Sequence, residues 1–148
     1  MRTLIKATLL ATMMLTSAAW AQNASPVGLW KTVDDETGKP KALVRITEEN
    51  GALQGKIEKL YRGPSEDQNP KCVACTDSRK NQPMVGMTIV SGLKKDGDEY
   101  TGGEILDPAK GKVYKSKATL RDGGQRLEVR GYIGAPMFGR SQVWHREG

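Results

Sequence analysis

The stretch KVYKSKATLRDGGQRLEVRGYI, residues 112–133, decides the fold. In its first half Tyr114, Ser116, Ala118 and Leu120 fall on one side of an extended chain, with Lys115, Lys117 and Thr119 opposite. In its second half Leu127, Val129, Gly131 and Ile133 share a side, opposed by Glu128, Arg130 and Tyr132. Side chains alternate across a strand with a period of two, so each half is a strand with one dry and one wet face. Between them, Asp122-Gly123-Gly124 supplies residues that accept positive φ cheaply. Two such strands joined by so short a link are antiparallel neighbours.

The same grammar extends in both directions. Segments rich in Val, Ile, Thr and Tyr recur at Val27–Val33, Ala42–Glu48, Ala52–Leu60, Met87–Leu93, Glu99–Leu106, Lys112–Arg121, Arg126–Ile133 and Gly139–Arg146. Turn clusters separate them: Asn50-Gly51, Lys95-Asp96-Gly97-Asp98 and Asp107-Pro108-Ala109-Lys110-Gly111. No helix-period pattern reaches ten residues. The expectation is an all-β protein in which about eight antiparallel strands close into a small up-and-down barrel, since closure removes exposed strand edges. A two-sheet sandwich is the rival. Asp34–Lys41 reads as a solvated polar loop. Arg62–Gly86 is longer than compact domains usually allow and holds Pro64, Pro70, Pro83 and both cysteines.

The chain has 148 residues, enough for one domain. Met1, Arg2 and Lys6 precede an apolar run from Ala7 to Leu15, and Ala19-Trp20-Ala21 has the small-x-small form of a cleavage site. Residues 1–21 therefore read as a secretory signal, too short to span a bilayer, and residues 22–148 as a single exported barrel domain. Loss of Arg2 and Lys6 lowers the formal charge from +6 to +4. Export to a periplasm-like space argues against nucleic acid as a partner, and no later apolar stretch supports stable membrane insertion. Nothing in the sequence fixes an oligomeric state.

Several stretches are familiar together. They are Pro26-Val27-Gly28-Leu29-Trp30-Lys31-Thr32, Cys72-Val73-Ala74-Cys75, Asn81-Gln82-Pro83-Met84-Val85-Gly86-Met87, Gly103-Glu104-Ile105-Leu106-Asp107-Pro108 and Gly139-Arg140-Ser141-Gln142-Val143-Trp144. The set resembles the DUF2147 family of exported bacterial proteins. That resemblance implies a barrel like those of lipocalins and fatty-acid-binding proteins. It carries no active site to transfer.

Cys72 and Cys75, in an exported chain, read first as a disulfide pinning the long loop. So small a ring contributes only about 2 kcal/mol through chain entropy, so its value is local. Thiol–disulfide exchange is the alternative, with Lys71, Arg79 and Lys80 nearby to stabilise a thiolate. A zinc site is weaker, because the one histidine, His145, is distant in sequence. No nucleophile–base pair or phosphate loop is found, so no enzyme activity, cofactor or metal is expected. Gly102-Gly103 inside a strand suggests a bulge.

Trp30, Tyr114 and Trp144 either fill the barrel or line a ligand cavity. Small residues at inward positions, Gly28, Gly55, Gly102, Ala118 and Gly131, leave room for one. Arg130 and Arg140 are candidates to meet an acidic head group, and Gly134–Phe138 to form a lip at the mouth. Two functions follow: a carrier or sensor of a small apolar or amphipathic ligand, or an envelope interaction module working through Arg62–Gly86 and Gly134–Phe138.

Overall fold

The computed structural model describes residues 25–148; the expected leader lies outside the described residues. Eight strands run in chain order around a closed antiparallel barrel: β1 (Gly28–Val33), β2 (Pro40–Glu49), β3 (Ala52–Leu60), β4 (Thr88–Asp96), β5 (Glu99–Asp107), β6 (Lys112–Arg121), β7 (Arg126–Tyr132) and β8 (Gly139–Arg146). The sandwich alternative is thereby excluded. β8 returns to β1 through Trp30↔Arg146 and Lys31↔His145. Backbone hydrogen bonds from Leu29 N–H to the Gly148 carbonyl (2.9 Å) and from Glu147 N–H to the Leu29 carbonyl (2.8 Å) extend that seam.

Up-and-down order sends successive connections to opposite ends. At one end sit the tight turns at Asn50-Gly51, Gly97-Asp98 and Asp122–Gln125, together with the two termini of the described chain. At the other end sit the connections of residues 34–39, 61–87, 108–111 and 133–138, three of them longer than any at the first end. The first end is the floor and the second the mouth.

The alternation read in β6 and β7 points inward as expected, with Ser116, Ala118, Leu127 and Val129 all buried. Two details differ from the sequence reading. β4 continues past Leu93 to Asp96 and pairs Lys94 with Thr101, Lys95 with Tyr100 and Asp96 with Glu99 of β5, a polar ribbon. And the bulge expected within Gly102-Gly103, present at Gly102 with φ +72°, displaces a residue read as inward. The β5–β6 register shifts between Tyr100 and Gly103, so Gly102 is exposed and Gly103 takes the buried place. Gly102 is thus not an inward position.

Gly55 is needed for a different reason. A Cβ there would sit 3.1 Å from Val90 and 3.2 Å from Val44, so its absence lets β3 approach its neighbours. The long 61–87 connection leaves β3 and β4 paired over few residues. It partly repairs that gap: Ile57 donates to the Met87 carbonyl (3.0 Å) and Gly86 to the Ile57 carbonyl (2.7 Å).

Candidate functional site

The floor half of the barrel is solid. Trp30, Ile46, Leu53, Leu93 and Leu127 are buried within one core cluster, and none of them lines the cavity above. Trp30 is 0% exposed; its indole Nε1 donates to the Pro26 carbonyl at 2.8 Å. The Arg146 guanidinium lies 4.4 Å from the Trp30 ring centroid, a cation–π stack. Arg146 spends its donors on three backbone carbonyls: Gly124 (2.7 Å), Val27 (3.0 Å) and Ser25 (2.7 Å). One side chain thus ties the entry segment, the β6–β7 turn and the last strand beneath the tryptophan. Partial burial lowers its pKa from the ordinary arginine value.

The mouth half is hollow. A cavity of about 840 Å³ opens there, within the range of small-molecule sites. Much of its lining is apolar: Val44 from β2, Ile57 from β3, Ile89 from β4, Ile105 and Leu106 from β5, Val129 from β7 and Trp144 from β8. Polar contact within the wall comes from Thr32, Tyr114 and Gln142, the last accepting from Trp144 Nε1 at 3.3 Å. Charged side chains appear only around the rim, on strand ends and loops: Asp35, Lys41, Arg62, Glu66, Asp107, Lys110 and Arg140.

Two of the four connections form fixed lips. The long loop is folded on itself by Cys72 N–H to Gln82 (2.9 Å), Asn81 N–H to Cys72 (2.8 Å) and Met84 N–H to Pro70 (2.9 Å). Cys72 and Cys75 are joined, with Cα atoms 5.4 Å apart and both residues buried. The bonded pair packs against the β5–β6 turn, where Gly111 has a φ of +66°. A Cβ on Gly111 would overlap the Ala74 carbonyl, so only glycine permits this docking. The loop then delivers Arg62, Glu66 and Met84 to the cavity. Because both sulfurs are shielded, an attacking thiolate has no approach, which weighs against an exchange role.

The second lip is the β7–β8 connection. Arg130 donates to the Pro136 carbonyl (2.6 Å), Ser141 Oγ (3.0 Å) and the Gly139 carbonyl (3.2 Å), clasping the tip from outside the barrel. Met137 and Phe138 stand at the cavity edge, 75% and 71% exposed.

Of the residues that the sequence offered for ligand contact, the structure gathers three. Tyr114, Trp144 and Arg140 line the cavity, Arg140 at the rim with Asp35 at 3.4 Å. Trp30 and Arg130 do not line it. Trp30 points inward but at the floor, because β1 begins there; Arg130 points outward, as its place opposite Leu127 and Val129 requires. Among residues not singled out, Val44 and Ile57 carried the parity signal of inward strand positions. Lys41, Arg62, Glu66 and Lys110 carried none, being on loops and strand ends. Among the described residues, no three His, Cys, Asp or Glu side chains converge on one point.

The family profile described as uncharacterized proteins conserved in bacteria, DUF2147, matches residues 28–146. The chain belongs to the DUF2147 family. The match spans every strand of the barrel, both lips included. Among solved structures, this DUF2147 protein is similar to HP1028 from the human pathogen Helicobacter pylori, described as belonging to the lipocalin family. The likeness has a TM-score of 0.71 at 20% identity and covers 84% of each chain, which establishes a shared lipocalin-like fold. No curated protein matches the chain.

Proposed function

We propose that this DUF2147 protein is a non-enzymatic carrier or sensor that holds a small, partly apolar ligand in the mouth half of its barrel. It does so outside the cytoplasm, after loss of residues 1–21. The observation that carries this reading is the division of the barrel. A core built only for stability would be filled from end to end. Here the floor is packed and an apolar-walled space of about 840 Å³ is held open above it. The lipocalin-like fold is consistent with such a role, by analogy of architecture.

Gly131 provides the test. It lines the cavity, and a Cβ there would meet Ile105 and Tyr114 at 3.4 Å, ordinary contact distance. Gly131→Leu should therefore intrude into the cavity from β7 and narrow it while leaving the floor intact. Native mass spectrometry of protein purified from its own host should show a bound small molecule that is absent from the variant. Titration with the neutral apolar dye N-phenyl-naphthylamine should show binding weakened at least about tenfold, the effect of losing a well-formed apolar site. Equal dye binding by both proteins, with no co-purified molecule, would remove the carrier reading.

A second reading, an interaction module of the cell envelope, draws on the exposure of Met137 and Phe138 at a rigid tip. It expects partner capture that Gly131→Leu does not disturb and Phe138→Ala does.

A further inference from the structure

The charges at the rim are not evenly satisfied. Three carboxylates line the cavity, and each is engaged within the protein. Asp35 meets Arg140 at 3.4 Å. Asp107 Oδ1 accepts from the N–H groups of Ala109 (3.0 Å) and Lys110 (3.3 Å), holding the β5–β6 turn. Glu66 Oε2 accepts from Gly63 N–H at 3.3 Å. Four basic side chains line the same cavity, and only Arg140 has such a partner. Among the described residues Lys41, Arg62 and Lys110 form no ion pair within 4 Å and no side-chain hydrogen bond, Lys41 meeting only the longer-range field of Asp34, although exposed neighbours elsewhere on the barrel pair readily, as Arg45 does with Glu58.

Their origins matter. Lys41 opens β2, Arg62 follows β3 and Lys110 sits in the β5–β6 turn, so topology gathers three separate segments around one opening. Below them the wall carries no charged side chain. An apolar shaft topped by unpaired cations is complementary to a molecule with a tail and an anionic head. We infer that the ligand is an anionic amphiphile, its aliphatic chain in the shaft and its carboxylate or phosphate head at Lys41, Arg62 and Lys110. This rests on the carrier reading and narrows it to a substrate class.

Calorimetric titration of the purified protein with probes of one chain length tests it: dodecanol, dodecanoate, dodecyl phosphate and dodecylammonium. At low salt the two anions should bind about tenfold more tightly than the alcohol, as two or three half-exposed ion pairs would give. The ammonium should bind more weakly than the alcohol. The preference should shrink as salt screens the rim. Comparison of dodecanoate with dodecyl phosphate separates a fatty-acid-like ligand from a phospholipid-like one, and a lead by either supports the inference. The triple variant Lys41→Gln, Arg62→Gln, Lys110→Gln should bring the anion-to-alcohol affinity ratio close to one. Equal binding of alcohol and anions by the unaltered protein, or a ratio unmoved by the triple variant, overturns this inference and leaves the carrier reading standing. Binding of none of the four removes both.

Discussion

The two ends of this barrel are built from the same eight strands and obey different rules. At the floor, tight turns bring strand ends close, and large side chains close the space: Trp30 is wholly buried, stacked on Arg146, and shares one buried cluster with Leu53, Leu93 and Leu127. At the mouth three of the four connections are longer than any at the floor, and the cavity opens between them. What borders the mouth is two pinned connections: a disulfide-bonded loop docked at Gly111 and a β-hairpin tip held by Arg130. The difference teaches that stability and binding are separated along the barrel axis. The floor can be as rigid as packing allows, and the mouth can keep an apolar surface wet because the floor has already supplied the fold.

Trp30→Ala attacks the floor and should have the largest effect. Removing a buried tryptophan leaves a cavity that neighbours fill only in part, costing about 3–5 kcal/mol. The Arg146 guanidinium would also lose its aromatic partner. The melting temperature should fall by more than about 10 °C. Phe138→Ala at the mouth removes a ring of similar bulk that is 71% exposed, and should change stability by no more than about 0.5 kcal/mol. Thermal melts of both variants decide the matter. If the two losses are similar, the floor does not carry the fold and the division drawn here is wrong.

How much of this was legible in the sequence depends on which physical signal each part emits. A strand with one buried face announces itself by alternation, and β6 and β7 do so through Tyr114 to Leu120 and Leu127 to Val129. Inwardness was therefore readable, but depth was not. Trp30 and Trp144 have the same parity signal, yet one plugs the floor and the other lines the cavity. Which end a residue occupies follows from strand direction, and that emerges only when the barrel closes. Gly102 shows a second limit: one positive φ inserts a residue into the ladder and exchanges the inward and outward sets beyond it. The rim shows a third. Lys41, Arg62 and Lys110 lie on connections without periodicity, and only the topology makes them neighbours of one opening. The disulfide, in contrast, was readable from cysteine spacing and expected export.

The second prediction breaks the comparison from the other side, by showing that one mouth contact is as exacting as a floor contact. Gly111→Ala forces a side chain into φ +66° and into the Ala74 carbonyl. Gly134→Ala forces the same kind of backbone, φ +76°, with nothing within 4 Å of the new atom. Both carry left-handed strain of about 1 kcal/mol. Only Gly111→Ala adds overpacking, about 1–3 kcal/mol more, and should lift the Cys72–Cys75 segment off the β5–β6 turn. Denaturant melts give the stabilities, and alkylation of Cys72 and Cys75 after mild reduction reports the lifting. Equal behaviour of the two variants would mean that the loop is not docked at Gly111.

The smallest effect is a pH dependence confined to the same loop. Asp77 accepts from the Arg79 side chain through both carboxylate oxygens, Nε to each at 3.1 Å, and from Arg79 N–H at 2.9 Å. These contacts, the guanidinium first and the backbone second, lower its pKa from 3.8 to about 2. Arg79 also donates from Nη1 to the Thr88 carbonyl at 2.9 Å, joining the loop to the start of β4. A carboxyl group with a depressed folded-state pKa contributes stability that is complete above pH 3.8 and vanishes as pH falls through about 2. The pair is exposed, so water and salt screen it and the global melting temperature should hardly move. The local signature is sharper. An NMR titration should place the Asp77 carboxyl midpoint near 2, and Arg79→Gln should return it toward the ordinary aspartate value. Across that window the amides of Arg79, Lys80 and Thr88 should shift while the Trp30 indole N–H stays still. A midpoint near 3.8 would show that the Asp77–Arg79 contact does not form, and an indole signal that follows the carboxyl would show that mouth and floor are not independent.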